Sequence, residues 1–121
     1  MRMVENFLDP KEVEINGTTY KISRIPAIQA SAIYAEVMKV MVDQGNLGMT
    51  ALPANVTREI FKYCGKRLES GGWIVLDTED SVNNAFKSLG DMLKLQIMMV
   101  KENFGFLTDG SLTDILGLPM A

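Results

Sequence analysis

The chain contains no histidine. That excludes Ser–His and Cys–His nucleophile pairs, imidazole metal sites and the commonest general base. Cysteine is used once, at Cys64, so neither an internal disulfide nor a thiolate metal cage can form. The expected role of Cys64 is that of a small buried apolar residue on a helix. No run of Lys and Arg occurs: the 12 basic residues are scattered and the net charge is −3, which argues against a surface that tracks phosphates. No apolar run approaches the length needed to cross a bilayer. Glu5 and Asp9 interrupt the first ten residues, so these lack the basic-then-apolar layout of a signal peptide. The cytosol is the expected compartment. Internal repeats, low-complexity blocks and linkers are also missing.

What is present suits one globular domain of 121 residues, 47% apolar and 22% charged. Residues 1–12 have no clear period and include the turn-favouring pair Asp9-Pro10; they are expected to be a flexible N-terminal arm, leaving 13–121 as the domain. Val13-Glu14-Ile15, Asn16-Gly17 and Thr18 to Ile22 alternate apolar and polar residues around an Asn-Gly pair. That pair supplies the positive φ angles of a type I′ turn, which predicts a β-hairpin. Val13, Ile15, Tyr20 and Ile22 share one face and require a cover, because a lone hairpin is marginal in water.

Pro26 suits a helix start, with Ser23 or a neighbouring backbone group as cap. Ile25, Ile28, Ala32, Ile33, Val37, Val40 and Met41 follow at helical spacing until Asp43-Gln44-Gly45. Gly45 to Leu52 reads as a loop. A second helix is predicted to open at Asn55 as N-cap, with a stripe of Val56, Ile60, Phe61, Cys64 and Leu68. Ser70-Gly71-Gly72 ends it. Trp73 to Leu76 is a short apolar run, either a further strand or an extended segment on the core. The longest helix is predicted to carry Val82, Phe86, Leu89, Leu93, Ile97, Val100 and Phe104. A short helical segment at Ser111 to Leu116 closes the chain. The expected fold class is mainly α with a small β part (α+β): an N-terminal hairpin packed on a bundle of about three helices.

Candidate chemistry is thin. Asp77, Glu79 and Asp80 form the densest acidic cluster, but a helix start accounts for them, and they lack the spaced oxygen ligands of a calcium loop. Gly45-Asn46-Leu47-Gly48 and Gly71-Gly72 match neither the phosphate-loop nor the dinucleotide pattern. No catalytic, cofactor-binding or metal-ligating residue is assigned, and a non-enzymatic protein is expected. Methionine is the one excess, at nine residues. Flexible thioethers fill irregular cores and also serve adaptable binding surfaces. Met98-Met99-Val100 beside Ile97 is wider than one apolar stripe requires. The outward side of the last long helix, around Leu95, Met98, Met99 and Phe106, is therefore the candidate surface for self-association or a protein partner, with plain core packing as the competing reading.

The segment Val13-Glu14-Ile15-Asn16-Gly17, through Tyr20-Lys21-Ile22, to Ile25-Pro26-Ala27 resembles the start of small tail assembly chaperones of long-tailed bacteriophages. Leu93-Lys94-Leu95 and Val100-Lys101-Glu102-Asn103-Phe104-Gly105-Phe106 are similar to the end of the long helix in that family. The resemblance implies a phage or prophage protein of the bacterial host cytoplasm, with no catalytic residues and no cofactor. It implies binding to the tape measure protein, recruitment of tail tube subunits around it, and departure before the particle is finished. The other readings are a structural virion component, such as a head–tail connector or tail-completion protein, and a small regulator that binds a host protein or nucleic acid.

Overall fold

The computed structural model describes residues 7–105. Its elements in chain order are β1 (Leu8–Ile15), β2 (Thr18–Arg24), α1 (Ala27–Gln44), a 3₁₀ helix (Gly45–Thr50), α2 (Ala54–Phe61), β3 (Cys64–Arg67), β4 (Trp73–Val75), α3 (Glu79–Ala85) and α4 (Leu89–Phe104). The fold class is α+β. The strands form one antiparallel sheet in the order β1-β2-β3-β4. Residues 1–6 of the expected arm and the expected helical segment at Ser111 to Leu116 lie outside the described residues.

The hairpin forms where Asn-Gly requires it. Ile15 pairs with Thr18 and Val13 with Tyr20, and the turn residues take positive φ, 49° at Asn16 and 82° at Gly17. The strand starts earlier than expected, so Leu8 to Glu12 belong to β1 and not to an arm. Asp9-Pro10 is a bulge and not a turn: the register shifts between Leu8 and Lys11, and Asp9 stands at φ 45°. Proline is tolerated there because β1 is an edge strand and the bulge leaves its missing N–H without consequence. The Arg24 Nε donates to Asp9 Oδ2 at 2.8 Å across the bulge.

Three further expectations are corrected. The second helix stops at Phe61, and Cys64 to Arg67 pair with β2 and β4 as a strand. Gly65 is a poor helix residue, and the ladder gives Ile22 and Ile74 a shared sheet, so tertiary pairing overrides the helical stripe. Pro53, not Asn55, is the N-cap of α2. The predicted longest helix is two helices. Phe86 leaves α3 in an extended conformation and stacks on Tyr20 with ring centroids 5.1 Å apart, while Phe61 lies 5.5 Å from it on another side. Tyr20 completes this joint by donating its hydroxyl to the Ala85 carbonyl at 2.7 Å. Ser88 then restarts the chain as N-cap of α4, its Oγ accepting from the Asp91 N–H.

Helix α1 begins after Pro26 as expected, but without a side-chain cap; the Ser23 hydroxyl donates to the Tyr63 carbonyl instead. Thr78 and Ser81 form a capping box at α3, with Glu79 and Asp80 in its first turn. Gly48 in the 3₁₀ helix is fixed by close approach, since a Cβ there would sit 3.1 Å from the backbone of Val40 and Met41. One core joins the sheet and the helices, including Tyr20, Ile22, Val37, Ile60, Phe61, Cys64, Leu76, Leu95, Met99 and Phe104.

Candidate protein-binding site

Two of the four residues expected on an outward binding surface face inward instead. Leu95 and Met99 are fully buried in the core. Met98 is half-buried against it, and Phe106 lies outside the described residues. The inward face of α4 is Leu95, Gln96, Met99, Val100 and Phe104. The predicted stripe ran through Leu89 and Leu93, and Leu89 is in fact 66% exposed. Val100 and Phe104 of that stripe are buried and Leu93 and Ile97 half-buried, so the inward face of α4 keeps one side of the stripe and extends beyond it to Leu95, Gln96 and Met99.

That exposed Leu89 marks a different surface. A cleft of about 460 Å³ opens between the 3₁₀ helix, α2, α3 and α4. Leu52, Val82, Leu89, Met92 and Leu93 give it apolar walls, and Asn55, Arg58, Glu79 and Asn83 also line it. Arg58 and Glu79 approach to 3.9 Å. At this distance and exposure the pair orders side chains more than it stabilises the fold.

Thr57 and Gln96 add a polar contribution to the cleft lining. Both are buried, and each polar group is used: Thr57 Oγ1 donates to Gln96 Oε1 at 2.6 Å, and Gln96 Nε2 donates to the Met49 carbonyl. A buried amide left unpaired would cost about 1–3 kcal/mol. With both ends engaged, Gln96 instead locks α2, α4 and the 3₁₀ helix together behind the apolar walls. Neither Thr57 nor Gln96 stands out in the sequence, where they read as polar interruptions of apolar stripes.

Chemically, the cleft can receive apolar side chains and hydrogen-bond their backbone at its edges. It presents no paired nucleophile and base. Cys64 lies away from it, fully buried on β3, where burial pushes the thiol well above its ordinary range. Among the described residues no three His, Cys, Asp or Glu side chains are grouped to hold a metal ion. Among the same residues no helix is long and apolar enough to cross a membrane.

A second arrangement links the two ends of the described chain. The Asn103 Oδ1 accepts from the Ile25 N–H at 2.8 Å, and its Nδ2 donates to the Ser23 and Met99 carbonyls. Lys11 and Glu102 pair at 2.8 Å, and the Tyr34 and Phe104 rings lie 6.2 Å apart. The hairpin-to-Pro26 segment and the end of α4 are thus in direct contact. No protein-family model matches the chain, and neither a curated protein nor a solved structure is significantly similar to it.

Proposed function

We propose that this chain is a non-enzymatic tail assembly chaperone of a long-tailed phage or prophage. In this reading it holds apolar side chains of the tape measure protein in the cleft between α2, α3 and α4, in the bacterial host cytoplasm, and helps recruit tail tube subunits. The observation that carries the reading is the apolar-walled cleft with Leu89 exposed beside it. Exposed apolar surface next to a concave site is the ordinary signature of a protein-binding patch. The resemblance supports the choice of client, and the two stretches on which it rests are the ones that Asn103 joins.

The physics suits a temporary hold. Burying one Leu-sized side chain contributes about 1.5–3 kcal/mol, and the cleft has room for only a few. After the cost of association, a single chaperone binds weakly and many copies along one client bind collectively. Tube subunits that cover more of the client then displace them.

The test is to tag the protein in cells where its phage or prophage is active and to identify co-purifying proteins by mass spectrometry, alongside the composition of purified virions. Recovery of the tape measure protein or tail tube subunit, with no copy in virions, is the expected result. A fixed copy number in virions would replace this reading with a structural component. Host proteins, or DNA bound with a steep salt dependence, would replace it with a regulator.

A further inference from the structure

Helix α1 is apolar on two sides. Its inward side buries Ile33 and Val37. Its outward side carries Ile28, 83% exposed, and Val42, 74% exposed, with Ala32 and Ala35 exposed between them. Ile28, Ala35 and Val42 recur every seven residues, so they fall on one line along the helix. Ser31, beside this line, is small. None of Ile28, Ala35 and Val42 lines the cleft, so the proposed client site leaves this face uncovered.

We propose that this face pairs with the same face of a second copy of the chain, antiparallel, about a twofold axis at Ala35. The spacing is self-complementary about that point. With Ala35 against the partner's Ala35, Ile28 falls opposite the partner's Val42 and Val42 opposite the partner's Ile28. Ala32 falls opposite the partner's Met38, and Ser31 opposite the partner's Lys39. Such reciprocal pairing is what an isologous interface requires. Small residues at the centre let the backbones approach, and the larger Ile and Val close the two ends.

Charge selects the antiparallel direction. A parallel pair would set Lys39 against the partner's Lys39 and Asp43 against the partner's Asp43. The antiparallel pair carries Asp43 to the start of the partner's α1. That helix start has no acidic residue in its first turn and no side-chain cap, so its dipole is free to favour a carboxylate. Lys39 stays on the surface through its ion pair with Glu36 at 3.2 Å, with its methylene stem laid over the partner's Ser31. A helix of 18 residues is about 27 Å long. One such face covers less than the roughly 800 Å² per partner of a standard interface, so the dimer is weak and strongly concentration-dependent.

The experiment uses the full chain. Sedimentation velocity up to about 1 mM, a concentration at which even a pair with a Kd of about 1 mM is half-formed, is run on the wild type and on Ala35→Glu. A monomer–dimer equilibrium that weakens at least tenfold in the variant, with an unchanged thermal melt, is expected. Direction is read by oxidation: Ala35→Cys alone forms a disulfide dimer, and a mixture of Ile28→Cys with Val42→Cys forms the mixed dimer. The native Cys64 is buried and does not compete. A wild type that stays monomeric, an Ala35→Glu variant that still dimerises, or an Ile28→Cys chain that links efficiently to itself would each overturn the proposal. Loss of tape measure capture by Ala35→Glu in a monomeric wild type would assign the face to the client instead.

Discussion

The Asn16 side-chain amide donates a hydrogen bond to the Asp91 carboxylate, joining the tip of the hairpin to the first turn of α4 across 75 positions of sequence. Asp91 is buried, so the contact holds a carboxylate that has little access to water. Asn16 therefore has two roles, one in the turn and one in this clamp. Asn16→Gly separates them, because Gly keeps the positive φ of the turn but has no amide. The variant is expected to lose about 1.5–3 kcal/mol, the range for hydrogen bonds to charged groups. Urea denaturation measures this, with the midpoint falling at constant slope; an unchanged midpoint would mean that the clamp adds nothing.

Tyr20 makes stability depend on alkaline pH. Burial, reinforced by the nearby Asp91 charge, raises its pKa above the ordinary 10.0, with a smaller opposing effect from a Thr18 hydrogen bond. The folded state holds the phenolic proton more tightly than the unfolded chain does. This stabilisation is fully present below the unfolded value of about 10 and is lost as pH rises through the higher folded value. Tyr20→Phe removes this contribution together with the hydrogen bond to Ala85. It is expected to cost about 1 kcal/mol at neutral pH and to flatten the fall in melting temperature above pH 10, as measured by circular dichroism.

Cys64 reports global unfolding. Its side chain is fully buried and burial raises its thiol pKa, so little reactive thiolate is accessible in the native state. Labelling by an aromatic disulfide is expected to be slow and to accelerate with urea in step with unfolding. Fast labelling in native buffer would show that β3 opens locally.

Two substitutions on α4 separate core from surface. Met99→Glu places a charge where no water reaches and is expected to destabilise the fold by several kcal/mol. Leu89→Asp lies on an exposed side chain that lines the cleft. It is expected to leave the melt within about 0.5 kcal/mol of wild type while reducing client capture at least tenfold in a pull-down.

The parts of this fold that are legible in the sequence are those set by local chemistry. Asn16-Gly17 specifies its own turn, Pro26 and Gly45 bracket α1, and Thr78 caps α3. The parts that are not legible depend on distant partners. Cys64 to Arg67 reads as helix because its stripe is locally consistent, and only pairing with the distant Tyr20 to Ile22 and Trp73 to Val75 makes it a strand. Phe86 fits a helical stripe, yet Tyr20 and Phe61 draw it out of helix and end α3 there. The core face of α4 is wider than the stripe and takes in Leu95, Gln96 and Met99 beside Val100 and Phe104, so two residues expected on the outside are core residues. The cleft is hidden from the sequence as well, since Leu89 is expected to face inward and is exposed. Helix α1 is apolar nearly all round, so its sequence gives no single inward face, and Ile28 was counted on the wrong side.

A photo-cross-linking residue placed at Leu89, in cells that assemble the tails, reads out whether the cleft holds the tape measure protein. A cross-link from this position to the tape measure protein, lost when Leu93→Asp is added, is expected. Cross-links only to host proteins or to neighbours in finished virions, or none above those from the exposed Lys94 on the same helix, would contradict it.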